Sequence, residues 1–197
     1  MEFLTSGDAE YLIGREDSIQ DCIRQLHAEP IALLLGASGI GKTSLIHAGI
    51  IPRTANLGWR PVYARPLSMP CTDVVDQIEA SAFVDGIRHA PLLQTVAELV
   101  SALGDSHLLL IIDQFEDVPN SISTDNLGRS AFRTCRSSRA LRARLHILIS
   151  YRADLEGRLG TLWQRISGSA RGLARVYVGG LTTDSFWKTA RWAVRST

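Results

Sequence analysis

The stretch Gly36-Ala37-Ser38-Gly39-Ile40-Gly41-Lys42-Thr43 fits the pattern G-x-x-x-x-G-K-[ST], the phosphate-binding loop or Walker A motif. The spacing has a chemical reason. Gly36, Gly39 and Gly41 can adopt backbone angles that turn successive N–H groups inward around an anion. Lys42 adds a mobile positive charge for the β- and γ-phosphates, and the Thr43 hydroxyl suits Mg²⁺. A helix that starts at Gly41 and carries Ser44 in its first turn aims its positive dipole end at the same phosphates. The flanks agree. Ile31-Ala32-Leu33-Leu34-Leu35 is a short continuous apolar run, as in a strand buried on both faces. Ser44 to Ile51 has helical apolar spacing and is expected to stop before Pro52. Strand, glycine loop and helix thus follow in the order that phosphate binding requires.

Working outward, 197 residues suit one α/β domain with a sizeable core. An apolar share of 45% and a charged share of 21% are globular values and exclude general disorder. No apolar run approaches the roughly 20 residues of a membrane span, and Met1 to Thr5 lacks the features of a secretory signal. Cys22, Cys71 and Cys135 are widely spaced and odd in number, which fits a reducing cytoplasm. The histidines show no metal-ligand spacing, so the expected metal is the Mg²⁺ that accompanies a nucleotide.

Periodicity predicts a helix from Glu16 to about Ala28, then the loop strand. A second strand follows at 59–65, helices near 74–83 and 92–103, and a very apolar strand at 107–112. An arginine-rich helix is predicted over 125–143, a strand at 145–150, a helical stretch near 161–167 and a strand at 174–178. One more helix begins at about 182. Such alternation implies a parallel sheet covered on both faces.

In open parallel sheets ligands sit beyond the carboxyl ends of the strands. The strand at 107–112 ends there in Asp113-Gln114-Phe115-Glu116-Asp117, a Walker B pattern in which Asp113 holds Mg²⁺, directly or through water, facing Thr43. Hydrolysis also needs a base or water-orienting group. Glu116 and Asp117 are the candidates, Glu116 first, and at least one of the pair is expected to serve only as a helix cap or surface ion pair.

With these motifs in place the chain resembles the STAND-class NTPases, signal-transduction ATPases with numerous domains, of the AAA+-related bacterial type. The resemblance is carried by Ile13-Gly14-Arg15-Glu16, the loop 36–43 with Ser44-Leu45 and Ala48-Gly49, and Gly58-Trp59-Arg60 leading to Arg65-Pro66. Leu109 to Glu116 and Ser150-Tyr151-Arg152-Ala153-Asp154 complete it. It implies a three-layer P-loop NTPase fold with a five-stranded parallel sheet of order 5-1-4-3-2. It also implies ATP as the nucleotide, since the guanine-reading N-K-x-D is missing. Ile13, Gly14 and Arg15 would line the adenine side, and Arg152 would sense the γ-phosphate, the alternative being a surface pair with Asp154. The implied division is a lead-in with its helix over 1–28, an NTPase core over 29–181 and the start of a helical region over 182–197. A Mg²⁺-dependent, slowly hydrolysing switch in the cytoplasm follows, read by effector or repeat domains of a longer chain or by a homo-oligomer. The alternative is a nucleotide-holding scaffold that acts through protein contacts. One departure stands out: relatives have Gly-Pro-Leu after the last strand, and this chain has Gly179-Gly180-Leu181.

Basic residues are nearly all arginine and are concentrated in the second half. Arg129, Arg133 and Arg136 share a helix face, and Arg139, Arg142 and Arg144 follow. A solvated face, an inter-subunit contact and a nucleic-acid surface all fit. Nucleic acid ranks last, because net charge is only +1 and aromatics are not interleaved.

Overall fold

The computed structural model describes residue 12 and residues 14–65, 92–117, 143–167 and 173–180. The helices predicted at 74–83, at 125–143 and from 182 lie largely or wholly outside the described residues. Within them α1 (Glu16–Ala28) leads to β1 (Ile31–Gly36), and the loop follows. A helical segment, α2, runs as Lys42–Ser44, a π-helical Leu45–Ile50 and Ile51–Asn56. Then come β2 (Arg60–Ala64), α3 (Leu92–Ala102), β3 (Leu108–Ile112), β4 (Leu145–Arg152), α4 (Glu156–Ser167) and β5 (Ala174–Tyr177).

Every strand pairing is parallel, and the order is β2-β3-β4-β1-β5, the expected 5-1-4-3-2 counted from the other edge. Strand alternation divides the core. Leu33, Leu35, Leu110, Ile112, Ile147 and Ile149 pack with Val96, Leu99, Val100 and Trp163, so α3 and α4 cover one face. Ala32, Leu34, Leu109, Ile111 and Leu148 pack with Ile19, Cys22, Leu26, Leu45 and Ile46, so α1 and α2 cover the other. These central strands are apolar at consecutive positions because both faces are dry.

Two helices differ from their predicted bounds: α4, expected near 161–167, begins at Glu156, and the loop helix runs on. The segment after the loop does not stop before Pro52 but continues to Asn56. Pro52 lies in the first turn of the last α-helical piece, where a missing N–H costs least. The π-helical turn just before it shifts the hydrogen-bond register. The Thr54 hydroxyl donates to the carbonyls of Ile50 (2.8 Å) and Ile51 (3.1 Å), holding the carbonyls that the irregular register exposes.

At the end of the sheet opposite the loop, Trp59 stacks on His146 (centroids 4.1 Å) and on His107 (5.4 Å), with His27 at its edge (4.9 Å). The Nδ1 of His107 and the Nε2 of His146 are 2.9 Å apart. Burial first, and the neighbouring His107 second, push the His146 imidazole down to about 4. His146 therefore folds neutral, whereas in the unfolded chain it gains a proton near the ordinary histidine value of about 6.5. Its contribution to stability is complete above about pH 6.5 and is lost as pH falls toward 4, on the order of 3 kcal/mol in all. We expect the urea midpoint of the parent to drop more steeply between pH 7 and 4.5 than that of His146→Leu; equal slopes would refute the assignment.

Candidate nucleotide site

The loop leaves β1 at Gly36, where space is the constraint. A Cβ there would come within 2.8 Å of Ile40 Cγ2 and 3.1 Å of the Val178 carbonyl oxygen. At Gly39 (φ 73°) and Gly41 (φ 94°) the constraint is conformation, since a Cβ at either meets nothing within 4 Å. Leu45 N–H donates to the Gly41 carbonyl (2.9 Å), so the helix begins at once. Its first N–H groups have no intrahelical acceptor. Lys42 is buried, and its ammonium donates to the carbonyls of Gly36 (2.9 Å) and Ala37 (3.1 Å), folded over the loop it follows. Burial lowers its pKa, and the Glu116 and Asp113 carboxylates partly restore it. Among the charges acting on Lys42, Glu116 is the foremost.

Across the cleft, β3 ends at Ile112 and Asp113 is fully buried. Its backbone N–H still pairs with Ala64 (2.9 Å), so the carboxylate is placed by the sheet itself. Thr43 Oγ1 donates to Asp113 Oδ2 at 2.8 Å, which joins the two halves of the predicted site. Three further donors reach the same carboxylate. The Tyr63 hydroxyl donates to Oδ2 (3.0 Å), and the Gln114 N–H (3.0 Å) and the Ser150 hydroxyl donate to Oδ1. A carboxylate has about four lone-pair sites, so Asp113 is saturated by protein. The geometry fits Mg²⁺: Thr43 spends its proton on Asp113 and keeps a lone pair for a cation.

The sequence motifs contain Gln114 and Ser150 but assign them no part in holding Asp113, and Tyr63 stands outside them. Ser150 was recoverable once β3 and β4 are neighbours, because Ile112 pairs with Ile149 and the next residues along are Asp113 and Ser150. Tyr63 pairs with Ile111 near the end of β2, and its ring lies against His47 (centroids 4.3 Å). Burial, and then the charge of Asp113, push the Tyr63 phenol well above its ordinary value. Gln114 has φ 54°, the left-handed region that a side chain of this size rarely adopts. Such strain is typical of functional positions. The Gln114 side-chain amide lies 3.4 Å from Thr43 Oγ1.

The remaining predicted residues divide. Glu116 is half-buried in the turn Phe115–Asp117 and acts electrostatically on both Lys42 and Arg152. The Asp117 carboxylate and Ile13 lie outside the described residues. Arg152 pairs in register with Gly36 at the tip of β4, beside the loop, but its guanidinium forks onto Asp154 at 3.0 and 2.8 Å in an exposed pair. The alternative, a surface pair with Asp154, is the arrangement seen, at a position that borders the loop. Gly14 turns the chain (φ 77°) into Arg15, whose guanidinium reaches the backbone carbonyls of Ile40 and Gly179. The contacts of Arg15 are thus with the loop and the end of β5, a placement that the adenine-lining expectation did not specify. Of the arginine series, Arg144 alone is described; Arg129, Arg133, Arg136, Arg139 and Arg142 lie outside the described residues.

A parallel sheet of this order, with a glycine loop after one strand and an acid ending its second neighbour, defines a P-loop NTPase. The chain belongs to the novel STAND NTPase 1 family, whose model matches residues 1–188. In three dimensions it is similar to a Walker-type ATPase of Pyrococcus abyssi, at a TM-score of 0.72 and 15% identity over 100% of this chain and 61% of that one. It is also similar to Cdc6p of Pyrobaculum aerophilum (0.66, 18%, covering 92% and 49%). A third likeness is the ORC1 protein of Aeropyrum pernix in complex with DNA (0.64, 16%, covering 94% and 50%). The chain therefore spans between about half and three-fifths of these structures, and at such identities the likeness is one of fold. No curated protein matches it in sequence. Among the described residues no helix is long and apolar enough to cross a membrane.

Proposed function

We propose that this chain is the ATP-binding switch domain of a signal-transduction NTPase, dependent on Mg²⁺ and slow in hydrolysing ATP to ADP and phosphate. The observation that carries the reading is the 2.8 Å bond from Thr43 to Asp113, which sets the loop helix and the acid strand on one cleft. Loop amides from Ala37 to Ser44 surround the phosphates, while Lys42 exchanges its two loop carbonyls for phosphate oxygens. Thr43 would ligate Mg²⁺ directly, and Asp113 would orient that hydroxyl and the metal's water shell. Bound Mg²⁺ screens the phosphate charge and fixes the triphosphate geometry.

Glu116, half-buried in the turn that follows Asp113, would accept a proton from the attacking water. That water's oxygen bonds to the γ-phosphorus, the bond to the β–γ bridging oxygen breaks, and the electron pair leaves on ADP. Arg152 would leave Asp154 to bridge two γ-oxygens. In a single-turnover assay with radiolabelled ATP, Glu116→Gln is expected to slow phosphate release by about 10²-fold or more with ATP affinity retained.

A second reading, a scaffold that holds nucleotide without turnover, is favoured by the Arg152–Asp154 pair, which occupies the γ-phosphate sensor. Parent phosphate release no faster than that of Glu116→Gln would decide for it. The preference for ATP rests on family resemblance. So do the division into 1–28, 29–181 and 182–197, the cytoplasmic setting, and effector or repeat domains or a second copy as readers of the switch. Nucleic acid ranks below these partners. Retention on DNA at low salt that is lost in the triple variant Arg129→Ala/Arg133→Ala/Arg136→Ala would reverse that order.

A further inference from the structure

We infer that Arg15 positions the phosphate loop and couples it to the chain leaving β5, so that filling the loop with nucleotide is felt beyond Tyr177. The inference rests on the reading of the loop as a nucleotide site. The backbone of Arg15 is fixed on both sides: its N–H donates to the Leu12 carbonyl (3.2 Å), and its own carbonyl accepts from Ile19 N–H (3.0 Å), the first bond of α1. From that fixed base the guanidinium donates through Nη2 to the Ile40 carbonyl (2.8 Å) and through Nη1 to the Gly179 carbonyl. It is half-buried, and among the described residues no carboxylate forms an ion pair with it. Its fork is committed to main chain.

The carbonyl that it holds is an informative one. Ile40 C=O and Gly41 N–H belong to a single trans peptide unit and point in opposite directions. Ile40 stands between Gly39 (φ 73°) and Gly41 (φ 94°), the two left-handed residues that turn the loop. By holding the Ile40 oxygen on the outer side, Arg15 sets the Gly41 N–H toward the anion-binding side. The second carbonyl belongs to the first residue past the pairing of β5 with β1. Val178 N–H donates to Leu35 O (2.7 Å), the Val178 carbonyl lies 3.1 Å from where a Gly36 Cβ would be, and Gly179 follows. Loop and departing chain are therefore already in contact, and the Arg15 side chain hydrogen-bonds to each of them. Phosphate bonding to the Gly41 N–H therefore fixes the 40–41 peptide, and with it the Ile40 oxygen, the rigid guanidinium and Gly179.

Hydrogen–deuterium exchange of the 197-residue protein, with and without Mg·ADP and Mg·ATP, tests this. In the parent, nucleotide is expected to slow exchange both in peptides covering 37–44 and in peptides covering 176–181. In Arg15→Ala the loop should still be protected, at an affinity about tenfold lower, one charge-assisted bond's worth, while the nucleotide-dependent slowing at 176–181 disappears. Arg15→Lys keeps the charge but lacks the planar fork, so it should lose the distal effect and most nearly keep parent affinity; it also decides the matter if the alanine variant does not fold. Slowing at 176–181 that survives in both variants overturns the coupling, as does a parent that is protected at 37–44 alone. A parent with no protection at 37–44 in millimolar nucleotide overturns instead the reading of the site, and the coupling with it.

Discussion

Lys42→Ala is expected to weaken Mg·ATP binding by about 100-fold, close to 2.7 kcal/mol, as fits the loss of a charge-assisted contact. Stability without nucleotide should fall much less, by about 1 kcal/mol. The asymmetry follows from the two states of this side chain. Without nucleotide its ammonium is bonded to the carbonyls of Gly36 and Ala37. When the ammonium is removed the exposed Ala37 residue can turn its carbonyl to water, and only the carbonyl of the buried Gly36 loses a partner. With nucleotide, nothing else among the described residues offers a cation from within the loop, so the phosphate charge goes unmatched. Titration calorimetry of both proteins with Mg·ATP, and a melting curve of each, would check the two halves. Equal affinities would remove the loop from the nucleotide site.

Asp113→Ala should be the most destabilising single change in the site, by about 4 kcal/mol. Asp113 is fully buried and accepts from Thr43, Tyr63, Gln114 and Ser150. Truncation strands up to four buried or part-buried donors, at a cost of roughly 1–3 kcal/mol each before they find new partners or water. Asp113→Asn keeps the shape and half of the acceptor sites; it should fold, losing about 1–2 kcal/mol, because an amide oxygen in the Oδ1 place still serves Gln114 N–H and Ser150, while the Thr43 and Tyr63 hydroxyls can turn to accept from the amide NH2. What the asparagine protein should lose is metal linkage. In the parent, ATP affinity should rise on exchanging EDTA for Mg²⁺; in Asp113→Asn that gain should shrink at least tenfold, since the charge behind Thr43 is gone. Chemical denaturation gives the first quantity and nucleotide titrations with and without Mg²⁺ the second. An alanine variant as stable as the parent would show that the four-donor arrangement contributes nothing.

The histidine cluster and the Arg15 link share an instructive property: neither could be read from local sequence. Trp59, His107 and His146 are far apart in the chain and meet because β3 and β4 are neighbours and the turn before β2 lies at the same end of the sheet. Arg15 was legible as part of a lead-in motif, yet its target carbonyls, 25 and 164 residues away, were not. Side-chain reach to a backbone oxygen leaves no trace in residue type at the far end, because every residue has a carbonyl.

Sequence by itself determined the strand–loop–helix of the phosphate site, the acid at the end of β3 and the burial of the central strands on both faces. It could do so because these depend on short-range facts: glycine where φ must be positive, apolar residues in unbroken runs, a charged group at a strand's end. Only the tertiary structure decided that Asp113 is saturated by donors from β2, β4 and the loop helix, that Pro52 lies within a continuing helix, and that Arg152 is engaged by Asp154. The outcome in each case turns on register and on competition among partners brought together by the fold. A hydrogen bond is won by whichever donor the packed sheet brings within about 3 Å, and that distance is a property of the assembled layers.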